Sequence, residues 1–112
     1  MPNTTIISKN YGRQTINVET LDASTVSMDS TIWKIVEHMF NEWYDYNTQP
    51  GAPMGKDIEG MYYGEGDQPA IYSKRGAIQQ GVETLIDFLR EDPKPIINTK
   101  QILAMDIECA FE

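Results

Sequence analysis

Between Thr31 and Tyr46 apolar side chains recur at helical rather than two-fold spacing, and this stretch constrains the fold more than any other. Asp29 and Ser30 stand just ahead of it, and both residue types cap helix N-termini well. Advancing roughly 100° per residue gathers the apolar side chains into an arc of about 180° with Trp43 near its middle. Trp33 and Tyr44 share one margin of that arc, and Tyr46 lies at the other. Lys34, His38, Asn41, Glu42 and Asp45 fall on the opposite half, where solvent is expected. An arc this wide must be covered by other elements of the same chain.

The covering elements are legible to different degrees. TTIIS at 4 to 8 and QTINVET at 14 to 20 are rich in β-branched residues, and Asn10 and Gly12 between them suit a turn, which predicts a hairpin. A second amphipathic helix is predicted from about Arg75 to Glu91, with Ile78, Val82, Leu85, Ile86 and Leu89 on one stripe. EDPKP ends it, because neither proline can continue the hydrogen-bond ladder.

Residues 47 to 69 carry glycine at 51, 55, 60, 64 and 66 and proline at 50, 53 and 69, which excludes a continuous helix. A plain loop of that length is uncommon in a compact domain, so a strand is expected inside it. Met61, Tyr62 and Tyr63 pair with Ala70 to Ser73 in that reading, as a second hairpin looped by GEGDQP. From Ile97 onward the odd positions are mostly apolar, and from Asp106 the even positions read Asp, Glu, Ala, Glu, an alternation that argues for a strand. A helix capped by Thr99 is the rival, since Ile102, Met105, Asp106 and Cys109 would then share a face. The expected architecture is one α+β domain over residues 1 to 112: a small antiparallel sheet of about five short strands packed against two amphipathic helices.

Charge narrows the function. Seventeen acidic against nine basic side chains give a net charge of −8, which repels nucleic acid and anionic membranes at long range. Cys109 is the single cysteine, so internal disulfides and a multi-cysteine zinc site are excluded. The opening MPNTTIISKN lacks the features of a secretory signal, and no run of about 18 apolar residues occurs, so a soluble protein of the cytoplasm is expected, the host cytoplasm if the protein is viral.

Catalytic groups are sparse. His38, the one histidine, falls on the polar face of the first helix, away from any nucleophile. Cys109 has Glu108 and Glu112 nearby, which disfavour a thiolate. Asp57, Glu59, Glu65 and Asp67 offer oxygen ligands without the spacing of a calcium loop. The same carboxylates could serve glycoside hydrolysis beside Tyr62 and Tyr63, but nothing fixes their separation. GMYYGEG lacks the strand and helix context of a phosphate loop. Lys74 and Arg75 open the second helix, where an internal salt bridge is a simpler expectation than an anion site. No catalytic residue, metal ligand or cofactor is assigned.

Glu83, Asp87 and Glu91 follow one another at i, i+4 spacing, a like-charge ladder that costs a helix a few tenths of a kcal/mol per pair. Its carboxylates lie about 6 Å apart, and those of Asp106 and Glu108 on a strand would lie about 7 Å apart, close to the spacing of phosphates along a nucleic-acid strand. The leading expectation is therefore a small acidic, non-enzymatic inhibitor that binds a partner with a basic surface, such as a nucleic-acid-processing enzyme. In size and charge it resembles phage counter-defence proteins and the immunity proteins that neutralise nuclease toxins. Partner contacts are assigned to the ladder, to Asp57, Glu59, Tyr62, Tyr63, Glu65 and Asp67, and to Trp33, Tyr44 and Tyr46. A structural or assembly subunit, of a virion or a homo-oligomer, is the alternative, and an enzyme using the 57 to 67 carboxylates is a third.

Overall fold

A computed structural model describes residues 3–8, 12–91, 95–98 and 101–102. β1 (Asn3–Ser8) and β2 (Gly12–Asn17) form the expected hairpin, antiparallel with Thr5 opposite Thr15, whose hydroxyls are 3.1 Å apart. β1 is central: Thr4, Ile6 and Ser8 point into the interior. β3 (Ile96–Asn98) pairs with its other edge in parallel, Ile6 opposite Ile97, so the strand order is β2-β1-β3. Parallel pairing needs a long crossover, and the whole helical layer provides it.

Three helices make that layer. α1 (Thr31–Asn47) starts where Ser30 Oγ accepts from the Trp33 amide at 3.3 Å. It stops where the Thr48 hydroxyl and amide both turn back to the Tyr44 carbonyl, at 2.8 and 3.0 Å. α2 (Gly55–Tyr63) is short, and α3 (Lys74–Glu91) is capped by Ser73, whose hydroxyl accepts from the Gly76 amide at 2.9 Å. The core joins Ile6, Val18 and Ile97 to Ile32, Val36 and Phe40 of α1 and to Ile78, Val82, Leu85, Ile86 and Leu89 of α3.

The segment between β2 and α1 is held by polar ties to α3. Arg90 donates from Nε to the Val18 carbonyl at 2.7 Å and from Nη2 to the Leu21 carbonyl, while Gln79 Nε2 donates to the Ala23 carbonyl at 2.5 Å. Within the segment, Asp22 accepts from the Ser24 hydroxyl and amide and caps a 3₁₀ turn at Ala23–Thr25. Those two bonds hold its carboxyl below the usual carboxylate range.

The fold class α+β is as expected, but its details are corrected: among the described residues the sheet has three strands and is mixed, and there are three helices rather than two. The predicted second hairpin is absent. Met61 to Tyr63 form the last turn of α2, because Ile58 and Tyr62, four residues apart, both bury against the core. In the segment that follows, the only strand-like pairing is an isolated bridge between Glu65 and Gln68.

Of the predicted C-terminal strand, Ile97 and Asn98 belong to β3 and Gln101 and Ile102 are helical, while residues 99–100 and 103–112 lie outside the described residues. Asn98 Oδ1 accepts from the Gln101 amide at 3.0 Å and Gln101 Oε1 accepts from the Asn98 amide at 2.8 Å. This reciprocal pair has the form of a capping box between Asn98 and Gln101. Cys109 and the Asp106 and Glu108 pair lie outside the described residues. Trp43, expected at the centre of the core, is only half-buried, while Trp33 at the arc's margin is 3% exposed.

Arg90→Met removes both carbonyl contacts to the 18–21 segment and is expected to lower unfolding free energy by about 2 kcal/mol in urea denaturation. Asp87→Asn removes only an exposed partner of Arg90, with Arg90 Nη1 3.9 Å from Asp87 Oδ1, and should stay within about 0.5 kcal/mol of wild type.

Candidate functional site

The last turns of α1 run past α3 and meet α2, and aromatic side chains fill that junction. Phe40, fully buried, has its ring centroid 5.3 Å from that of Tyr62 in an edge-on contact and 5.8 Å from that of Trp43. Trp43 stands edge-on to Tyr62 at 5.8 Å, and Tyr62 leads outward to Tyr72 at 5.9 Å. On the flank, Tyr44 stacks on Phe40 and meets Tyr63 edge-on at 5.1 Å. The cluster thus grades from the buried Phe40 to Tyr63 and Tyr72, which are 55% and 53% exposed, and Tyr46 near the end of α1 is 70% exposed. Amphipathic rings of this kind are the usual anchors of protein interfaces.

Two carboxylates, of Glu59 and Asp45, lie near Tyr44 on this cluster. Burial raises the Tyr44 phenol above its ordinary value, with further contributions from Glu59, Tyr63 and Asp45. Burial also raises Tyr62, assisted by Tyr72. Both phenols therefore stay protonated and able to donate at neutral pH.

The turn after α2 is folded tightly back on it. Gly64 sits at φ 77°, and a Cβ there would lie 2.4 Å from the Gln68 carbonyl oxygen. The Tyr72 amide donates to the Met61 carbonyl at 2.6 Å, closing the turn. Between α2 and this turn lies an open groove of about 400 Å³. Met54, Met61, Pro69 and Ile71 supply its apolar walls, and Asp57, Glu65 and Lys56 its charges. Gly60 and Gln68 complete the lining.

The expected contact residues divide into three groups. Tyr44, Tyr63 and Glu59 belong to the aromatic cluster and its acidic border, Asp57 and Glu65 to the adjoining groove, and Tyr46 and Asp67 are exposed near the end of α1 and on the turn. Trp33 and Tyr62, at 3% and 7% exposure, are core side chains and present almost no surface. Glu83, Asp87 and Glu91 are all exposed on the side of α3 opposite its buried stripe, apart from the groove. Met54, Gly60, Ile71 and Tyr72 were not singled out by sequence; an exposed Ile71, 72% open, carries no local signature.

The remaining candidates behave as surface groups. His38 Nε2 lies 3.2 Å from Glu42 Oε1 on the polar face of α1. Lys74 and Arg75 make no ion pair among the described residues. Among those residues no group of three or more His, Cys, Asp or Glu side chains is arranged to hold a metal, and no helix is long and apolar enough to cross a membrane. No protein-family model, curated protein or solved structure matches the chain.

Gly64→Ala is expected to cost about 1 to 3 kcal/mol and to loosen the aromatic cluster, visible as a lower urea midpoint and a weaker near-ultraviolet dichroism of the tyrosines. A second expectation concerns pH. A phenol whose folded pKa is raised favours the folded state fully below the unfolded value of 10.0, and that contribution is lost as pH rises through the higher folded value. Stability should therefore fall above pH 10, and the double variant Tyr44→Phe/Tyr62→Phe should show a flatter alkaline decline in thermal unfolding than wild type.

Proposed function

We propose that this chain is a small acidic interaction protein that docks on the basic surface of a nucleic-acid-binding enzyme and blocks it, as a counter-defence or immunity-type inhibitor does. The observation that carries the proposal is the aromatic cluster in which Tyr44 meets Tyr63 and Tyr62 meets the exposed Tyr72, with Asp45 and Glu59 near Tyr44 and the groove of Asp57 and Glu65 adjoining it. Aromatic side chains supply desolvated anchors, and a carboxylate rim steers a cationic partner and excludes anionic ones. The α3 ladder supports the same chemistry, since three like charges in a row cost helix stability and answer no need of folding. Occlusion is then steric and electrostatic and requires no catalytic group. The cytoplasm, where such enzymes work, is the proposed compartment.

Affinity capture from lysate of the cells in which the protein acts tests the proposal. The expected catch is a basic nucleic-acid-binding protein that is released as salt is raised. Against the purified partner, Glu83→Lys/Asp87→Lys/Glu91→Lys should lower the association rate about tenfold and flatten its salt dependence. An unchanged rate would remove the α3 face from the interface.

A second reading has one observation in its favour. β2 is an edge strand whose residues Gly12 to Thr15 are exposed, and such edges pair with other copies. Light scattering on the isolated protein separates the two: a closed multimer favours an assembly subunit, and a monomer favours the inhibitor.

A further inference from the structure

Gly60 lies inside α2, where glycine is the costliest residue after proline. The backbone does not ask for it: φ is not positive, and a Cβ built there meets nothing within 4 Å among the described residues. Gly64 and Gly55 differ, the first by its positive φ and the second by the Asn47 carbonyl 3.5 Å from its Cβ position. Gly60 lines the groove between α2 and the 65–71 turn, where a side chain longer than a hydrogen would enter its space.

The chemistry of that groove selects a guest. Met54, Met61, Pro69 and Ile71 form apolar walls suited to an alkyl stem, and the charges at its border are Asp57 and Glu65 against Lys56, two negative to one positive. A volume of about 400 Å³ is that of a small-ligand site. Its openness suits a side chain entering from an attached backbone. Arginine fits better than lysine, because the planar guanidinium is weakly hydrated and lies comfortably on apolar walls while bonding to carboxylates.

Resting on the docking function proposed above, we propose that this groove receives one arginine side chain from an extended, basic segment of the partner. Asp57 and Glu65 engage the guanidinium, the methionine, proline and isoleucine walls cover its stem, and Gly60 leaves the room. Lys56 opposes the guest and holds the affinity of a lone arginine down, so that tight binding needs the neighbouring aromatic surface as well.

The experiment is a titration of isotope-labelled full-length protein with acetyl-Gly-Arg-Gly-amide at low salt, followed by amide chemical shifts. The expected result is saturable shifts confined to residues 54–71, absent with the isosteric but neutral citrulline peptide and weaker with the lysine peptide. Asp57→Asn and Glu65→Gln should each weaken binding about threefold, and Lys56→Met should tighten it about threefold. An anionic guest would reverse both signs.

Gly60→Leu should abolish the shifts while melting at or above the wild-type temperature, with Gly60→Ala as a milder version of the same change. Shifts that survive in Gly60→Leu, or that appear equally with citrulline, overturn the arginine groove. Shifts spread evenly over Glu83, Asp87, Glu91 and the other acidic positions also overturn the groove, yet leave docking through diffuse charge standing. The absence of any shift overturns the groove, and docking then stands or falls on the capture experiment.

Discussion

One helix has to satisfy two partners, and the rest of the molecule follows from that constraint. The first turns of α1 bury Ile32, Trp33, Ile35 and Val36 in the core that the sheet and α3 share. Its last turns present Trp43 and Tyr44, which among the described residues meet the rings of Tyr62 and Tyr63 on α2. Phe40 stands at the changeover, fully buried and in ring contact with residues of both α1 and α2. Because α2 is half the length of α1 and buries only Ile58 and Tyr62, the cover is incomplete. The half-exposed aromatic surface is thus a consequence of a long helix meeting a short one.

Electrostatics adds a second consequence. Every described carboxylate except that of the half-buried Glu37 is exposed, which spares the chain the cost of desolvating charge. The acidic field is left to solvent and to whatever approaches it. Where that field meets the aromatic junction, the molecule combines apolar area with negative potential, the pairing that a basic surface with an accessible arginine would match.

The elements that could be read from sequence are those whose periodicity runs uninterrupted. The β-branched hairpin, the apolar stripe of α1 and that of α3 each repeat over enough residues for one period to outweigh the other, and Ser30 and the prolines after Glu91 mark their ends. α2 escaped for the opposite reason. Glycines at 55, 60 and 64 within and beside nine residues weaken its helical signal, and the β-prone Met-Tyr-Tyr run reads as a strand until Ile58 and Tyr62 are seen to bury together. β3 is three residues long, and the Asn98–Gln101 bonds that follow it favour a helical turn at Gln101 and Ile102, which alternation alone reads as strand. For the candidate site, sequence named Tyr44, Tyr46, Tyr63, Asp57, Glu59 and Glu65. It had no means of separating them from Trp33 and Tyr62, whose burial depends on which neighbour each helix face meets.

By itself the amino-acid sequence determined the α+β class, the hairpin, the two long helices and the acidic surface, because these follow from local periodicity, capping and side-chain charge. Only the tertiary structure decided that β3 joins β1 in parallel and that the Tyr-Tyr pair belongs to a helix. It alone decided that Tyr44 and Tyr63, distant in the chain, stand edge-on at 5.1 Å, and that Gly60 lines a groove between α2 and the turn that follows it. Such contacts depend on packing between elements, and no local pattern encodes which faces will meet.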